Sequence, residues 1–235
     1  MKKLSIIIPV YNEEKTILRI LEKIVKVNLG LIKEIIIVND GSTDNSREVI
    51  EKYLKRKKKN KNLEFKFISK PNAGKGSAIR KGLELATGSI ITIQDADLEY
   101  NPEDLKKLIN TILSGKVKVV YGSRFLKKHK PRYLIYFYGN KFLSFLTKIL
   151  YGTKITDMET CYKMMTSEII KDLNLVSDSF DIEPEITSKI LRKGYEILEV
   201  PISYKSRSVD EGKKINWKDG LKAIYVLFYW RFKKI

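Results

Sequence analysis

The sequence predicts an α/β fold in which a mostly parallel sheet is flanked by helices. Short apolar runs of strand length alternate with longer segments that have the 3.6-residue periodicity of amphipathic helices. Several of the runs are apolar without alternation, as expected for parallel strands covered on both faces. The predicted strands are residues 4–10, 34–38, 63–69, 89–94 and 117–121, with a final strand at 195–201.

The segments between these strands are predicted to be helices. The second covers residues 45–58, the third ends at about residue 86, and the fourth begins at Pro102, a residue typical of the first helical turn. A further helix begins after Phe180, with Ile186 and Ile190 turned inward. The apolar faces of the first and fourth helices are formed by Ile17, Leu18, Leu21, Ile24 and Val25, and by Leu105, Leu108, Ile109, Ile112 and Leu113.

The composition indicates a globular protein with an anionic partner. A chain of 235 residues forms one large domain, or one domain with a small appendage. Its 43% apolar and 31% charged residues are typical of a folded protein. The net charge of +18 fits nucleic acid, nucleotide-linked substrates or acidic membranes as partners.

Two functional classes are excluded by what the chain contains. Cys161 and His129 are the sole residues of their types, so we expect neither an internal disulfide nor a zinc cluster. No secretory signal precedes the first strand, and no apolar run reaches the about 20 residues needed to cross a bilayer. We therefore expect a cytosolic protein, either in solution or at a membrane surface.

Residues 88–100 contain the main candidate site. A buried strand there ends in Asp95 and Asp97, followed by Glu99. Open α/β sheets bind ligands at the carboxyl ends of their strands, and carboxylates this close repel one another unless a cation lies between them. The alternative is an acidic turn that caps the helix at Pro102. Because the first, second and fourth strands all end in acidic or amide residues, we expect one nucleotide-sized crevice.

Two basic features allow more than one interpretation. The turn at residues 70–77 carries Lys75 between two glycines and precedes a helix, which fits either an anion site or a simple glycine turn. It lacks the spacing of the nucleotide-triphosphate motif. The basic run at residues 55–61 is most simply a solvated helix end and loop, with a functional basic patch as the alternative.

The second half of the chain contains two apolar, aromatic segments with interspersed cations. Residues 131–151 fit an amphipathic interfacial helix or helix pair, with a subunit interface, and hence an oligomer, or a helix packed on the sheet as alternatives. Near the C-terminus, the run AIYVLFYW is followed by Arg231, Lys233 and Lys234. It fits a second interfacial helix, or a truncated spanning helix.

Six motifs, in order and spacing, resemble family 2 glycosyltransferases, and within them the branch that acts on polyprenyl phosphates, such as dolichyl-phosphate mannose and glucose synthases. They are IIIPVYNEE, VNDGSTD, NAGKGSAIRKGL, QDADLEYNP, YGSRF and TDMETCYKM, and the resemblance covers residues 4–215. It implies a GT-A fold, a nucleotide-diphosphate sugar donor, Mg²⁺ or Mn²⁺, and inversion at the anomeric carbon. It also implies a catalytic domain at residues 1–215, including segment 131–151, and a membrane-surface helix at residues 216–235.

The resemblance assigns roles to individual residues by position. The residues implied to bind the nucleotide sugar are Pro9, Tyr11, Glu13, Asp40, Lys75, Asp95, Ala96 and Asp97. Asp97 and Glu99 are the implied metal ligands. The implied catalytic residues are Asp95, Asp97, Arg124, Lys163 and Arg207. Two features depart from the family: TDMETCYKM replaces a version with Pro, Ser and Gly, and we expect an enzyme without the C-terminal spanning helices of many relatives.

The expected reaction is transfer of a hexose from UDP-glucose or GDP-mannose to dolichyl or undecaprenyl phosphate, by a peripheral, monotopic enzyme at the cytoplasmic side of an anionic membrane. A phosphate monoester has a second pKa of about 6, so it needs cations such as Arg124, Lys163 and Arg207 rather than a general base. The alternatives are a family 2 enzyme with a glycan or other hydroxyl acceptor, a nucleotidyltransferase, and a nucleic-acid-binding module. The last depends on the net charge alone and leaves the acidic cluster unexplained, so nucleic acid is not an expected partner.

Overall fold

A computed structural model describes residues 2–58, 60–127, 131–207 and 217–234 of the chain. His129, most of the loop at residues 203–214 and the expected boundary between residues 215 and 216 lie outside the described residues. The first half alternates strands and helices in the predicted order. These elements are β1 (Lys3–Val10), α1 (Ile17–Lys26), β2 (Ile32–Asp40), α2 (Ser46–Lys55), β3 (Leu63–Lys70), α3 (Lys75–Leu85), β4 (Ile90–Ile93), a 3₁₀ turn (Pro102–Asp104), α4 (Leu105–Leu113) and β5 (Val119–Ser123).

The second half is mainly helical. Its elements are α5 (Leu134–Tyr151), β6 (Lys163–Thr166), α6 (Ser167–Asp172), α7 (Ile182–Arg192), β7 (Leu198–Pro201) and α8 (Trp217–Phe232). The last strand begins three residues later than predicted, and α2 ends at Lys55 rather than at residue 58. β6 was not predicted, because its four residues follow an irregular acidic segment and are too few to show a period.

The described strands form one seven-stranded sheet with the order β3-β2-β1-β4-β6-β5-β7. β1, β2, β3 and β4 are parallel, and β7 is parallel to β5. β6 is antiparallel to both β4 and β5. The prediction of a mostly parallel sheet is therefore confirmed, with β6 as its antiparallel member. Because β6 runs the other way, its first residue lies at the edge where β4 and β5 end.

Apolar burial explains why these segments fold as they do. The central strands bury continuous runs of Ile and Val, and α1 packs Ile17, Ile20 and Leu21 into the same core. Two predicted face residues were wrong: Leu18 is 39% exposed and Leu113 is 36% exposed. Both lie at the margin of a helical face, where the period alone does not decide which side chain the sheet covers.

α8 packs on α5 and α7 through its own apolar face. Ala223 and Leu227 form a small cluster with Leu143 of α5, and the Tyr151 hydroxyl donates to the carbonyl of Leu227 at 2.6 Å. The Lys189 ammonium lies 3.9 Å from the ring centre of Trp230. The C-terminal helix thus contacts the rest of the fold directly.

A buried carboxylate joins three strands at the edge opposite the crevice. Glu34 of β2 accepts hydrogen bonds from Ser5, from the backbone and hydroxyl of Thr87, and from Lys66, whose Nζ lies 2.7 Å away. Burial alone would raise the pKa of Glu34, but these donors outweigh it and lower the pKa to about 2.

Glu34→Gln should lower the free energy of unfolding by about 2 kcal/mol at pH 7, because it removes charge-assisted hydrogen bonds from a buried site. The pKa of Glu34 is lower in the folded than in the unfolded state, so its stabilisation is complete above about pH 4.5. The difference between the two proteins should therefore shrink as the pH falls from 4.5 towards 2. Urea unfolding at several pH values measures it. Glu64→Gln on β3, at a side chain 43% exposed, is the control and should change stability by less than about 1 kcal/mol.

Candidate active site

A cavity of about 350 Å³ lies at the sheet edge where β1, β2 and β4 end and β6 begins. Its volume is within the range of sites that hold small molecules. The predicted site residues that line it are Pro9, Tyr11, Glu13, Asp40, Lys75, Asp95, Ala96, Asp97, Glu99, Arg124 and Arg207. The expectation that these residues share one crevice is met in the geometry, whereas their roles stay predictions.

Asp40, at the end of β2, holds the turn that leads into α3. Its carboxylate accepts hydrogen bonds from the backbone amides of Ala73 and Gly74, the latter at 2.7 Å, and pairs with Lys70. Asp40 is buried, so this pairing compensates for its lost hydration. The turn is therefore fixed against the end of the neighbouring strand.

The glycines of that turn allow close packing on residues 177–178. A Cβ at Gly76 would lie 2.4 Å from the carbonyl oxygen of Ser177, and Gly74 has a φ of +99°. The amide of Ser77 donates to the carbonyl of Asp178 at 3.0 Å. The backbone of this turn therefore fits the glycine-turn interpretation. Because Lys75 lines the cavity, the anion-site interpretation stays a prediction.

Lys75 joins two carboxylates inside the cavity. Its Nζ lies 2.9 Å from Asp95 and 3.1 Å from Glu183 of α7. Burial alone would lower the pKa of Lys75, but both carboxylates raise it well above its ordinary value. For the same reason Lys75 lowers the pKa of Asp95 against the effect of burial. Both groups stay ionised at neutral pH.

Lys163 is placed differently from the expectation that it contacts a phosphate. It is the first residue of β6 and is completely buried, and its Nζ pairs with Glu183 and donates to the carbonyl of Thr160 at 2.6 Å. It does not line the cavity. Lys163 pairs with Glu183 outside the cavity, and this geometry does not favour direct contact between Lys163 and a ligand.

The three carboxylates of the acidic motif have separate environments. Asp97 accepts a hydrogen bond from the amide of Glu99 at 3.0 Å. Glu99 in turn accepts from the Tyr204 hydroxyl at 2.7 Å and from the amide of Arg207 at 2.9 Å. Burial, and then the charges of Asp95 and Glu99, raise the pKa of Asp97 to about 7, although Arg207 acts in the opposite direction.

The Arg207 guanidinium lies among three acidic side chains. Its Nη1 is 3.0 Å from Glu13, its Nη2 is 3.5 Å from Asp97, and its Nε is 4.0 Å from Glu99. Burial alone would lower the pKa of Arg207, but these carboxylates raise it. Arg207 thus links the acidic motif to Glu13 through one cation.

Arg124, just after β5, is fixed by Asp157. Its Nε and Nη2 donate to the two oxygens of Asp157 at 2.7 and 2.6 Å, and its backbone amide donates to the same carboxylate. The guanidinium lies 5.1 Å from the ring centre of Tyr204. Among the described residues its Nη1 has no hydrogen-bond partner, which leaves a donor for a ligand in a residue only 7% exposed.

A second cavity of about 290 Å³ adjoins the first. The two share Arg124, Tyr136, Asn140 and Tyr204. The second is also lined by Phe125, Pro131, Arg132, Tyr133, Phe137, Lys205 and Ser206. It therefore lies beside the start of α5 and is bordered by three cationic residues.

Some cavity residues were not predicted as site residues. They include Asn72, Tyr136, Asn140, Glu159, Phe180, Glu183 and Tyr204. Glu159 and Glu183 belong to acidic segments that stood out in the sequence, but nothing local showed that they face the same crevice. Tyr136 and Asn140 lie in the aromatic helix α5. Their spacing of four residues, which places them on one face of the helix, was the only sequence signal that they act together.

The donor chemistry of the cavity fits a divalent cation. Asp97 and Glu99 supply hard oxygen atoms, and Mg²⁺ is commonly held by one or two carboxylates together with substrate phosphates. In the described ranges, no group of three or more His, Cys, Asp or Glu residues is arranged to hold a metal by itself. A cation at this place would take its remaining oxygen ligands from water or from a bound molecule such as a substrate phosphate.

The family model for glycosyl transferase family 2 matches residues 5–173. The chain belongs to this family. It is therefore a glycosyltransferase, and the GT-A expectation for its fold is confirmed by solved structures. Glucosyl-3-phosphoglycerate synthase from Mycobacterium tuberculosis, solved with Mn²⁺, UDP and glucosyl-3-phosphoglycerate, matches with a TM-score of 0.71 at 18% identity, over 98% of this chain and 80% of that one.

Curated relatives of this glycosyltransferase come from archaea and bacteria. An uncharacterised protein of Methanocaldococcus jannaschii is 29% identical over 86% of this chain and 89% of its own length. The dolichol-phosphate mannosyltransferase of Pyrococcus furiosus is 29% identical over 97% of this chain and 64% of that protein. The undecaprenyl-phosphate 4-deoxy-4-formamido-L-arabinose transferase of Proteus mirabilis is 36% identical over 49% of this chain and 35% of that protein.

Asp157→Ala should destabilise the protein by about 3 kcal/mol or more, because it leaves the buried Arg124 guanidinium without its counter-ion. Chemical unfolding of the purified protein measures this. Asp172→Ala removes the exposed partner of Lys193 and is the matched control, with an expected change below about 1 kcal/mol. Equal losses in the two variants would contradict a structural role for the Arg124–Asp157 pair.

Proposed function

We propose that this glycosyltransferase moves a hexose from a nucleotide-diphosphate sugar, either UDP-glucose or GDP-mannose, to a polyprenyl phosphate with inversion at the anomeric carbon. The relatives from Pyrococcus and Proteus are named for dolichol-phosphate and undecaprenyl-phosphate chemistry. The observation that carries the proposal is the pair of adjoining cavities, which share Arg124 between an acidic half and a basic, aromatic half.

The acidic half suits the donor. Pro9, Tyr11 and Asp40 lie at the ends of β1 and β2 and line the cavity, which supports a nucleoside site on that side of the crevice. The diphosphate would then extend towards the end of β4, where Asp97 and Glu99 would hold Mg²⁺ or Mn²⁺. Such a cation supplies Lewis-acid stabilisation of the charge that develops on the departing diphosphate.

Arg207 and Lys75 balance the charge around this donor. Arg207 contacts Glu13, Asp97 and Glu99 through three different nitrogen atoms. Its guanidinium can exchange these carboxylates for phosphate oxygens, since Arg binds phosphate through two parallel N–H donors. Lys75 keeps Asp95 ionised, so that Asp95 stays an acceptor of hydrogen bonds on the donor side of the cavity.

The basic half suits a phosphate acceptor. Arg124 is held rigidly by Asp157 and keeps Nη1 as a donor, and Arg132 and Lys205 line the same cavity. A phosphate monoester is largely dianionic at neutral pH and attacks without a general base. The role of these cations is to hold it in line with the anomeric carbon, which lowers the entropic part of the barrier.

The surface beside the second cavity suits a lipid. α5 begins at its wall and exposes Ile135, Tyr138 and Phe142, which are 78%, 63% and 54% exposed. α8, packed on α5, exposes Trp217, Leu221 and Phe232. None of the helices in the described ranges combines the length and apolar character needed to cross a bilayer. We therefore infer peripheral binding of these two faces to an anionic membrane, on its cytoplasmic side.

The division of the chain remains part of the proposal. Residues 1–215 would form the catalytic domain and residues 216–235 the membrane-surface helix. The contacts of α8 with α5 and α7 favour a helix that is docked on the catalytic domain rather than separated from it. A shared apolar surface on α5 and α8 is the expected consequence.

Asp97→Ala should reduce turnover at least 100-fold while the protein stays folded, because it removes one of two proposed cation ligands. The test is transfer of labelled hexose in MnCl₂, together with circular dichroism. Glu103→Ala, at a nearby exposed carboxylate, is the control and should retain wild-type rates.

In the wild-type protein the Mn²⁺ concentration for half-maximal rate should rise below about pH 7, since protonated Asp97 no longer binds the ion.

Incubation with sugar-labelled UDP-glucose or GDP-mannose and with dolichyl or undecaprenyl phosphate should give a labelled, lipid-extractable product. Arg124→Lys should raise the KM for the lipid phosphate more than that for the donor, because Lys lacks the planar fork that Asp157 fixes. Lipid extraction and thin-layer chromatography measure both effects. Transfer to a soluble glycan alone, with no lipid product, would overturn the acceptor assignment.

A further inference from the structure

The proposed function assigns no role to one carboxylate that lines the first cavity. Glu159 belongs to the segment between α5 and β6 and lines the first cavity. Its Oε1 atom is buried and has no hydrogen-bond partner among the described residues. Burial raises the pKa of Glu159 to about 7, against the attraction of Lys163. An acceptor atom left unsatisfied at such a place costs stability unless a ligand or a water molecule donates to it.

The neighbouring carboxylates all have partners in the protein itself, although the Oε1 atom of Glu183 has an ion pair with Lys75 and no hydrogen bond. Glu199 accepts hydrogen bonds from the amide and hydroxyl of Thr156, both at 2.8 Å, and from the amide of Asp157. Asp157 is paired with Arg124, and Glu183 with Lys163 and Lys75. The cations nearest to Glu159 are thus already engaged. Glu159 differs from these residues because its Oε1 atom has neither a hydrogen bond nor an ion pair among the described residues, which leaves it as an acceptor for a molecule in the cavity.

The sheet order places Glu159 beyond the diphosphate position. The strands run β2-β1-β4-β6-β5, and the proposed nucleoside and cation sites lie at the ends of β2, β1 and β4. Glu159 lies four residues before β6, the next strand in that order. The group attached to the diphosphate therefore meets this part of the wall. That group is the sugar.

We propose that Glu159 accepts hydrogen bonds from hydroxyl groups of the transferred sugar and thereby helps to select it. The proposal rests on the proposed function, since it needs a nucleotide-sugar donor. A hexose offers several hydroxyl donors, and a buried acceptor left unpaired by the wrong substrate disfavours that substrate strongly. Sugar hydroxyls are neutral and can pair with Glu159 in either protonation state, whereas the anionic acceptor phosphate is repelled by the ionised form and is therefore a poorer partner.

The first experiment compares ligands with and without the sugar. Calorimetric titrations in MnCl₂ use UDP-glucose, GDP-mannose, UDP and GDP with the wild type, Glu159→Ala and Glu159→Gln. Glu159→Ala should weaken binding of the preferred nucleotide sugar about 10- to 100-fold, as expected for hydrogen bonds to a charged group, and change binding of the free diphosphate less than about twofold. Glu168→Gln, an exposed carboxylate on α6, is the matched control and should change neither.

The second experiment identifies the contacted hydroxyl. Donors that lack one sugar hydroxyl at a time are titrated into the wild type and into Glu159→Ala. Loss of the contacted hydroxyl should weaken binding to the wild type about tenfold or more and should have no further effect in the variant. Equal penalties in both proteins for every deoxy donor would overturn the proposal.

Thermal unfolding separates a ligand-binding role from a structural one. Without ligand, Glu159→Gln and Glu159→Ala should raise Tm by a few degrees or leave it unchanged, because a buried unsatisfied carboxylate is removed. A fall in Tm combined with equal losses for sugar-bearing and sugar-free ligands would show a structural role and overturn the inference.

The outcomes also distinguish this inference from the proposed function. If the wild type binds nucleotide sugars but makes no lipid product, the acceptor assignment fails and the role of Glu159 is still decided by the titrations. If the wild type binds neither nucleotide sugar, both proposals fail together. A cation bound at Glu159 would appear as Mn²⁺ binding that Glu159→Ala abolishes in the absence of nucleotide, and this result would also overturn the inference.

Discussion

The compensation of buried negative charge at one edge of the sheet is the constraint on which the site depends. Parallel strands bring Asp40, Asp95 and Asp97 to the same edge, where burial and mutual repulsion both disfavour ionised carboxylates. The protein answers with cations drawn from distant elements, chiefly Lys75 from α3 and Arg207 from the loop after β7. The arrangement of these cations sets which carboxylates stay ionised and which are left for a ligand.

The negative charges along the crevice are not all compensated to the same degree, and this difference distinguishes the structural carboxylates from those available to a ligand. Around Asp40 and Asp95 the protein supplies full partners, which makes the walls rigid. Around Asp97 the balance is incomplete, since its pKa is raised to about 7, and a divalent ion with ligand phosphates is the natural complement. Glu159 is the extreme case, with an acceptor atom that the described residues leave unsatisfied. Incomplete satisfaction of this kind is tolerated in a stable fold where binding restores it.

The position of the two apolar helices links this crevice to a surface. α5 supplies Tyr136 and Asn140 to both cavities, while its opposite side carries exposed aromatic and aliphatic residues. One helix therefore contacts the proposed reaction site and the proposed membrane face. The cations and the aromatic side chains line the same second cavity. A lipid phosphate could therefore reach Arg124 while its lipid chain stays at the proposed membrane surface.

The strand and helix order of the first half and the place of the acidic crevice could both be predicted from the sequence. The order follows from the periodicity of the apolar residues, and the place of the crevice follows because parallel strands end at a common edge. The pairing of the charged residues depends instead on the tertiary structure. Arg207 contacts Glu13, 194 residues away in the chain, and the buried Lys163 pairs with Glu183 outside the cavity. The Oε1 atom of Glu159 has no hydrogen-bond donor among the described residues. Which charges meet depends on how β6, α7 and the loop after β7 pack against the sheet, and packing between segments so distant in the chain leaves no periodic trace in the sequence.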